Sequence, residues 1–341
     1  MTTLDLPTHR EGDVGLGPLP WRRMGWVTWR QHRIALGGVL AVLGALAVYL
    51  WVTGLQMHHA WAAVAACHPA GSTACGALTN DFNGGYVAHA VAAIIMVQAV
   101  PALIGAFAGA PVLARELETG TFRYAWTQGI GRRRWALGKL VPLAIVLACV
   151  AGAFSVLFSW YYRPFFAEDF QTPFAPVLFG LRGVAFAAWT LAAFAIGATA
   201  GMLTRRVVPA MAATLVVYAG LALAAGMFLR QHYLTPLVSN SLNLPGSVWI
   251  IGQWYTKGGK FAFAGVQKSG LNAGRLQQFC PSAPPSETLG QCLSQHGYVQ
   301  WTSYQPAGRF WPFQWIEGGW LLALSLLLIA ATVWLVRRRA A

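Results

Sequence analysis

Residues 183–229 read GVAFAAWTLAAFAIGATAGML-TRR-VVPAMAATLVVYAGLALAAGMFL. Two uncharged apolar runs, Gly183–Leu203 and Val207–Leu229, are separated only by Thr204-Arg205-Arg206. A helix rises about 1.5 Å per residue, so about 20 apolar residues cover a hydrocarbon core roughly 30 Å thick. Each run is long enough to do so, and two adjacent arginines are too costly to leave in hydrocarbon. The stretch predicts two membrane-spanning helices joined by a tight hairpin at a polar surface.

Four more runs of the same kind lie on either side: Ile34–Leu55, Tyr86–Leu113, Leu140–Tyr162 and Gly318–Val336. Only 10% of the 341 residues are charged and 56% are hydrophobic. Soluble domains carry about 25% charged residues, so a soluble multidomain protein is excluded. The reading is an all-α polytopic membrane protein with six transmembrane helices. Its first apolar run starts behind a charged arm and is longer than the roughly 7–15 residues of a signal-peptide core, so no cleaved leader is expected.

The net charge of +14 would suit nucleic acid if it formed one face. Instead the basic clusters are separated by lipid-length helices, so no nucleic-acid partner is expected. Lys and Arg flanking the spans concentrate on the cytoplasmic side of a membrane. With an internal N-terminus, that side receives sixteen of the 24 basic residues, including Arg22, Arg23, Arg30 and Arg33, Arg132 to Arg134, Arg205 and Arg206, and Arg337 to Arg339. Both termini are expected in the cytoplasm, in a plasma-membrane protein.

Four segments follow from these spans. Residues 1–33 form a cytoplasmic arm, with Trp21–Arg33 as a short amphipathic helix on the inner leaflet. Residues 34–229 hold spans one to five, with a cytoplasmic loop at 114–139. Residues 230–316 form a small external α/β cap, and 317–341 the sixth span and a basic tail. Within the cap, Lys257-Gly258-Gly259-Lys260 lies between β-formers at Trp249–Tyr255 and Phe261–Ala264, which predicts a hairpin. A third strand is expected at Tyr298–Tyr304, and a short helix from Ser286 to Gly297. Phe310, Trp311, Phe313 and Trp315 read as an interfacial aromatic belt.

Cys67 and Cys75 share the first external loop, and Cys280 and Cys292 share the last, while Cys149 stands alone in a span. Two close pairs outside the membrane point to two disulfides, Cys67–Cys75 and Cys280–Cys292. Free thiols, or a metal held by Cys67, His68 and Cys75, are the other readings of the same spacing.

The six runs contain no Asp, Glu, Lys or Arg. Ion-coupled carriers usually place ionisable groups at membrane depth, and no phosphate-binding loop is present, because Gly131 to Lys139 has the wrong glycine spacing. No nucleophile motif surrounds a serine, so no enzyme and no resident cofactor is expected. Pro101 beside Gln98 predicts a kink in the second span, with both residues as possible pathway lining. Gly105-Ala-Phe-Ala-Gly109 and Gly197-Ala-Thr-Ala-Gly201 are small-residue faces that permit close helix approach.

Residues 112–140 read VLARELETGTFRYAWTQGIGRRRWALGKL. Glu116, Gly120 and Thr121 form an E-x-x-x-G-T element, and Arg134 and Lys139 a G-x-x-R-x-x-x-x-x-K-like run. This loop resembles that of type-two ATP-binding-cassette exporter permeases. Trp29-Arg30-Gln31-His32-Arg33 and the stretch from Tyr304 to Pro312 look like the actinobacterial branch. The resemblance implies a half-transporter that pairs with a second permease copy and with two separate ATPase subunits, which would hold ATP and Mg²⁺. It implies export, and the apolar, weakly polar spans favour an amphipathic small molecule, lipid or peptide over an ion or sugar. Arg115, Glu116, Glu118, Gly120 and Thr121 would be the segment coupling to the ATPase, and Glu116→Ala is expected to leave folding intact. Arg115 and Arg123 are the expected counter-charges if the carboxylates are instead satisfied within the chain. A scaffold, sensor or channel that uses no ATP is the alternative.

Overall fold

A computed structural model describes residues 21–69, 72–121, 131–167, 172–241, 244–264 and 293–339. Among the described residues, six helices are long and apolar enough to cross a membrane: Leu40–Ala65, Thr73–Thr119, Arg132–Tyr161, Gly183–Thr204, Val207–His232 and Ala307–Arg338. They are the first to sixth spans below. Each contains all or most of one predicted run, and most overshoot it, because a helix does not stop where hydrocarbon does. The second starts at Thr73, where the Ser72 side chain caps the Cys75 N–H, and continues through exposed Asp81.

The separate helix expected at Trp21–Arg33 is not seen. One unbroken helix runs from Trp21 to Ala65. No proline interrupts this stretch, so its basic opening simply extends the first span.

The fourth span is the hub: 72% of its apolar window is buried, against 17% for the fifth. Its composition explains why. Gly197 and Gly201 face Gly105 and Gly109 of the second span, and the two small-residue faces pack on each other. A Cβ on Gly105 or Gly109 would lie 2.6 Å from the carbonyl oxygens of Ala193 and Phe194 respectively. A Cβ on Gly197 would meet Gly105 O and Ala110 N, and one on Gly201 would meet Ala110 O. Backbone touches backbone here, which no larger residue allows.

Where a kink is expected near Pro101, the second span has a π-helical segment, Gly105–Gly109. Its wide register is closed by the Ala110 N–H to Gly105 O bond of 2.9 Å. Proline lacks an N–H and crowds the preceding turn, and one wide turn absorbs that misfit. A second π segment, Ala225–Leu229, closes the fifth span.

The fourth-to-fifth hairpin turns at Arg205, which is left-handed at φ 55°, and both Arg205 and Arg206 are exposed. Cys67 and Cys75 form a disulfide with Cα atoms 5.7 Å apart, which leaves neither thiol for a metal. Cys280, Cys292 and most of the helix expected from Ser286 lie outside the described residues.

Between the fifth and sixth spans is an antiparallel sheet of β1 (Leu237–Ser239), β2 (Trp249–Lys257), β3 (Lys260–Ala264) and β4 (Tyr298–Gln305), ordered β1-β4-β2-β3. The β2–β3 turn has positive φ at both Gly258 and Gly259, as a two-residue hairpin with primed geometry requires. Trp249 of β2 stacks on Phe174, 5.7 Å between ring centres, and Gln305 of β4 donates to Leu234 O at 2.7 Å. The sheet is thereby fixed to the helix ends. Of the expected aromatic belt, Trp311 and Trp315 are 55% and 63% exposed. Phe313 turns inward against Phe174, because it lies on the other side of the same helix.

Candidate coupling elbow and buried charge pair

The second span continues beyond its π segment as a short helix, Pro111–Thr119, with Pro111 in its first turn. Proline is tolerated there, where an N–H would lack a helical partner anyway. The helix stops at Gly120, whose φ of 72° and ψ of 4° give a left-handed cap. Thr121 follows it and is exposed, as is Arg115. Thr119 Oγ1 donates to Arg115 O at 2.8 Å and lies 3.1 Å from Thr121 Oγ1.

Both carboxylates of this elbow are already engaged within the chain. Glu116 forms an ion pair with Lys139 of the third span, a side chain only 8% exposed. Lys139 also sits 4.9 Å from the centre of the Trp135 ring, a cation–π distance. Glu118 Oε2 accepts the Val207 N–H at 3.1 Å, at the opening of the fifth span, where helix polarity favours an anion by about 0.3–1 kcal/mol. Among the described residues the counter-charge of Glu116 is therefore Lys139, in place of the expected Arg115. Arg123 falls outside the described residues. The two motif elements, separated in sequence, meet as one clamp. This also alters the expectation for Glu116→Ala, which now strands a buried ammonium.

A second charge pair closes the opposite end of the bundle. Arg230 follows the fifth span's π segment, and Glu317 lies about two turns into the helix Phe310–Arg339 of the sixth span. Their fork is bidentate: Arg230 Nε donates to Glu317 Oε2 at 3.0 Å and Nη2 to Oε1 at 2.9 Å. The side chains are 3% and 0% exposed. Arg230 Nη1 donates to Pro176 O at 3.1 Å, and the guanidinium lies 4.3 Å from the Phe179 ring centre. Glu317 also accepts from Trp189 Nε1 at 2.9 Å and from the Tyr233 hydroxyl at 3.2 Å. Trp320 Nε1 donates to that hydroxyl at 2.9 Å. Burial, and after it the Glu317 carboxylate, push the Tyr233 phenol up, so it stays protonated and able to donate.

This cluster corrects the expectation of uncharged spans. Runs drawn to stop at a charge leave Arg230 and Glu317 outside by one residue each. The helices include them. The only sequence signal was one unpaired charge of each sign at the two edges of a long loop.

Residues 40–230 match the family described as ABC-2 membrane transporter related. The chain belongs to that family. No curated protein and no solved structure matches it. The family match runs from the first span to Arg230, so it takes in the elbow, the clamp and one half of the second charge pair. Membrane subunits of ABC-2 permeases are generally non-catalytic. Among the described residues, no three His, Cys, Asp or Glu side chains come together as a metal site.

Gln98 and Pro101, expected as pathway lining, face a cavity shared with Trp189, Tyr218 and Arg230. Its volume of about 30 Å³ admits water. In this ABC-2 chain it is a partly open polar pocket beside the charge pair.

Proposed function

We propose that this chain is the membrane subunit of an ATP-driven exporter, paired with a second permease copy and powered by separate ATPase subunits. Its termini and elbow lie in the cytoplasm of a plasma-membrane protein, and the sheet lies outside. The observation that carries this reading is the elbow. A helix continuous with the second span packs its buried Val112–Ala114 turn against the bundle, ends at left-handed Gly120 and is locked to the third span by Glu116 and Lys139. A lever held this way transmits displacement from a docked ATPase to the π segment and so to the fourth span. Docking falls to exposed Arg115, Thr121 and the turn at Gly120, while Glu116 and Glu118 brace the elbow from within. Family membership supports the ATPase partnership, and the basic flanks support the orientation. Cargo, an amphipathic small molecule, lipid or peptide, passes between the two permease copies.

Pull-down from reconstituted membranes separates docking from bracing. Arg115→Glu combined with Thr121→Asp should keep the wild-type Tm yet cut ATPase recovery about tenfold, a loss of about 1.4 kcal/mol in association. Glu116→Ala should lower Tm, because removing one partner strands the buried Lys139 charge. Wild-type ATPase recovery and cargo-stimulated hydrolysis in the Arg115/Thr121 variant would refute docking at this elbow.

A further inference from the structure

We infer that an ordered water molecule occupies the cavity beside the charge pair and bridges Gln98 to Arg230. The cavity, of about 30 Å³, is bounded by Gln98, Pro101, Gly180, Trp189, Tyr218 and Arg230, among others. That is room for water. Gln98 Oε1 is fully buried and has no hydrogen-bond partner. An amide oxygen left bare in such a place is costly, and native structures nearly always satisfy it.

Arg230 supplies the complementary chemistry. A guanidinium has five N–H groups, and three are taken by Glu317 and Pro176 O. A water accepts one of the remaining N–H groups and donates to Gln98 Oε1. Turning the Gln98 amide over would present N–H to the cavity instead, and water, being both donor and acceptor, satisfies either orientation. Tyr218, only 6% exposed, borders the same space.

The water ties the second span, about two turns before its π segment, to the ion pair that joins the fifth and sixth spans. Gln98 is then a positioning residue for the charge cluster. This inference does not depend on how the chain is powered.

Two measurements on the full chain in lipid nanodiscs test it. If Gln98 were merely unsatisfied, Gln98→Leu would remove a penalty and raise Tm. If a water joins it to Arg230, the same change breaks the bridge and lowers Tm by a few degrees. Synchrotron radiolytic labelling reads the water directly in the wild type, because radicals form from bound water in place. Trp189 or Tyr218 should be oxidised despite their burial, and that oxidation should be lost in Gln98→Leu. An unchanged or raised Tm in Gln98→Leu, or no oxidation of either ring in the wild type, overturns the bridge.

Discussion

Glu317→Leu is expected to destabilise the folded chain by about 3–5 kcal/mol, the usual cost of leaving one member of a buried ion pair without its partner. The carboxylate receives two bonds from Arg230 and one each from Trp189 and Tyr233. All four donors lose their acceptor together. In nanodiscs the Tm should fall on the order of 10 °C. Arg230→Met should be damaging by the same logic, because it strands the carboxylate. Joining the two substitutions removes both charges and fills the space with apolar atoms, so the double variant should recover most of the loss. Thermal unfolding of the two single variants and the double variant reads this cycle. Equal, additive losses would mean that the two charges are stabilised separately.

Gly197→Leu is expected to prevent correct packing of the second and fourth spans. Even the first side-chain carbon at Gly197 would meet the backbone at Gly105 and Ala110. Overpacking by a methyl or two costs about 1–3 kcal/mol where side chains can shift, but a backbone contact gives them nothing to shift. Gly197→Ala should already fall in that range, and Gly197→Leu should fail to yield a monodisperse protein. Gly220 of the fifth span is the control, since a Cβ there meets nothing within 4 Å. Size-exclusion profiles should be normal for Gly220→Leu and aggregated for Gly197→Leu. A normal profile for Gly197→Leu would show that the two helices are not in backbone contact.

These two sites differ in how far the sequence disclosed them. The glycine faces were visible as small residues four apart, because a close-packed helix face has a local signature. That Gly105–Gly109 and Gly197–Gly201 choose each other has none, since pairing is set by the whole bundle. Arg230 and Glu317 were passed over for a different reason. A run defined by the absence of charge must end at the first charged residue, so charges that lie inside a span but at the edge of its uncharged stretch are discarded by construction. The hairpin at Gly258-Gly259 was legible because positive φ at two successive positions demands glycine. Strand β1 was not, because Leu237–Ser239 has three residues and no alternation to read. Glu116 was legible as a charge at a helix end that needed compensation. Lys139 supplies it from the next span, and no local rule points there.

In the proposed function the elbow, its clamp and the π segment carry displacement to the hub helix. For such a path to matter, an ATPase must bind at Gly120. The most direct measurement is mass spectrometry of whatever co-purifies with the tagged, wild-type chain from its native membrane, together with the ATP hydrolysis of that preparation. A permease of this kind should bring down a separate P-loop ATPase in comparable amount, with hydrolysis that stops when the ATPase is removed. Recovery of the chain in folded form with no ATPase and no hydrolysis would contradict it.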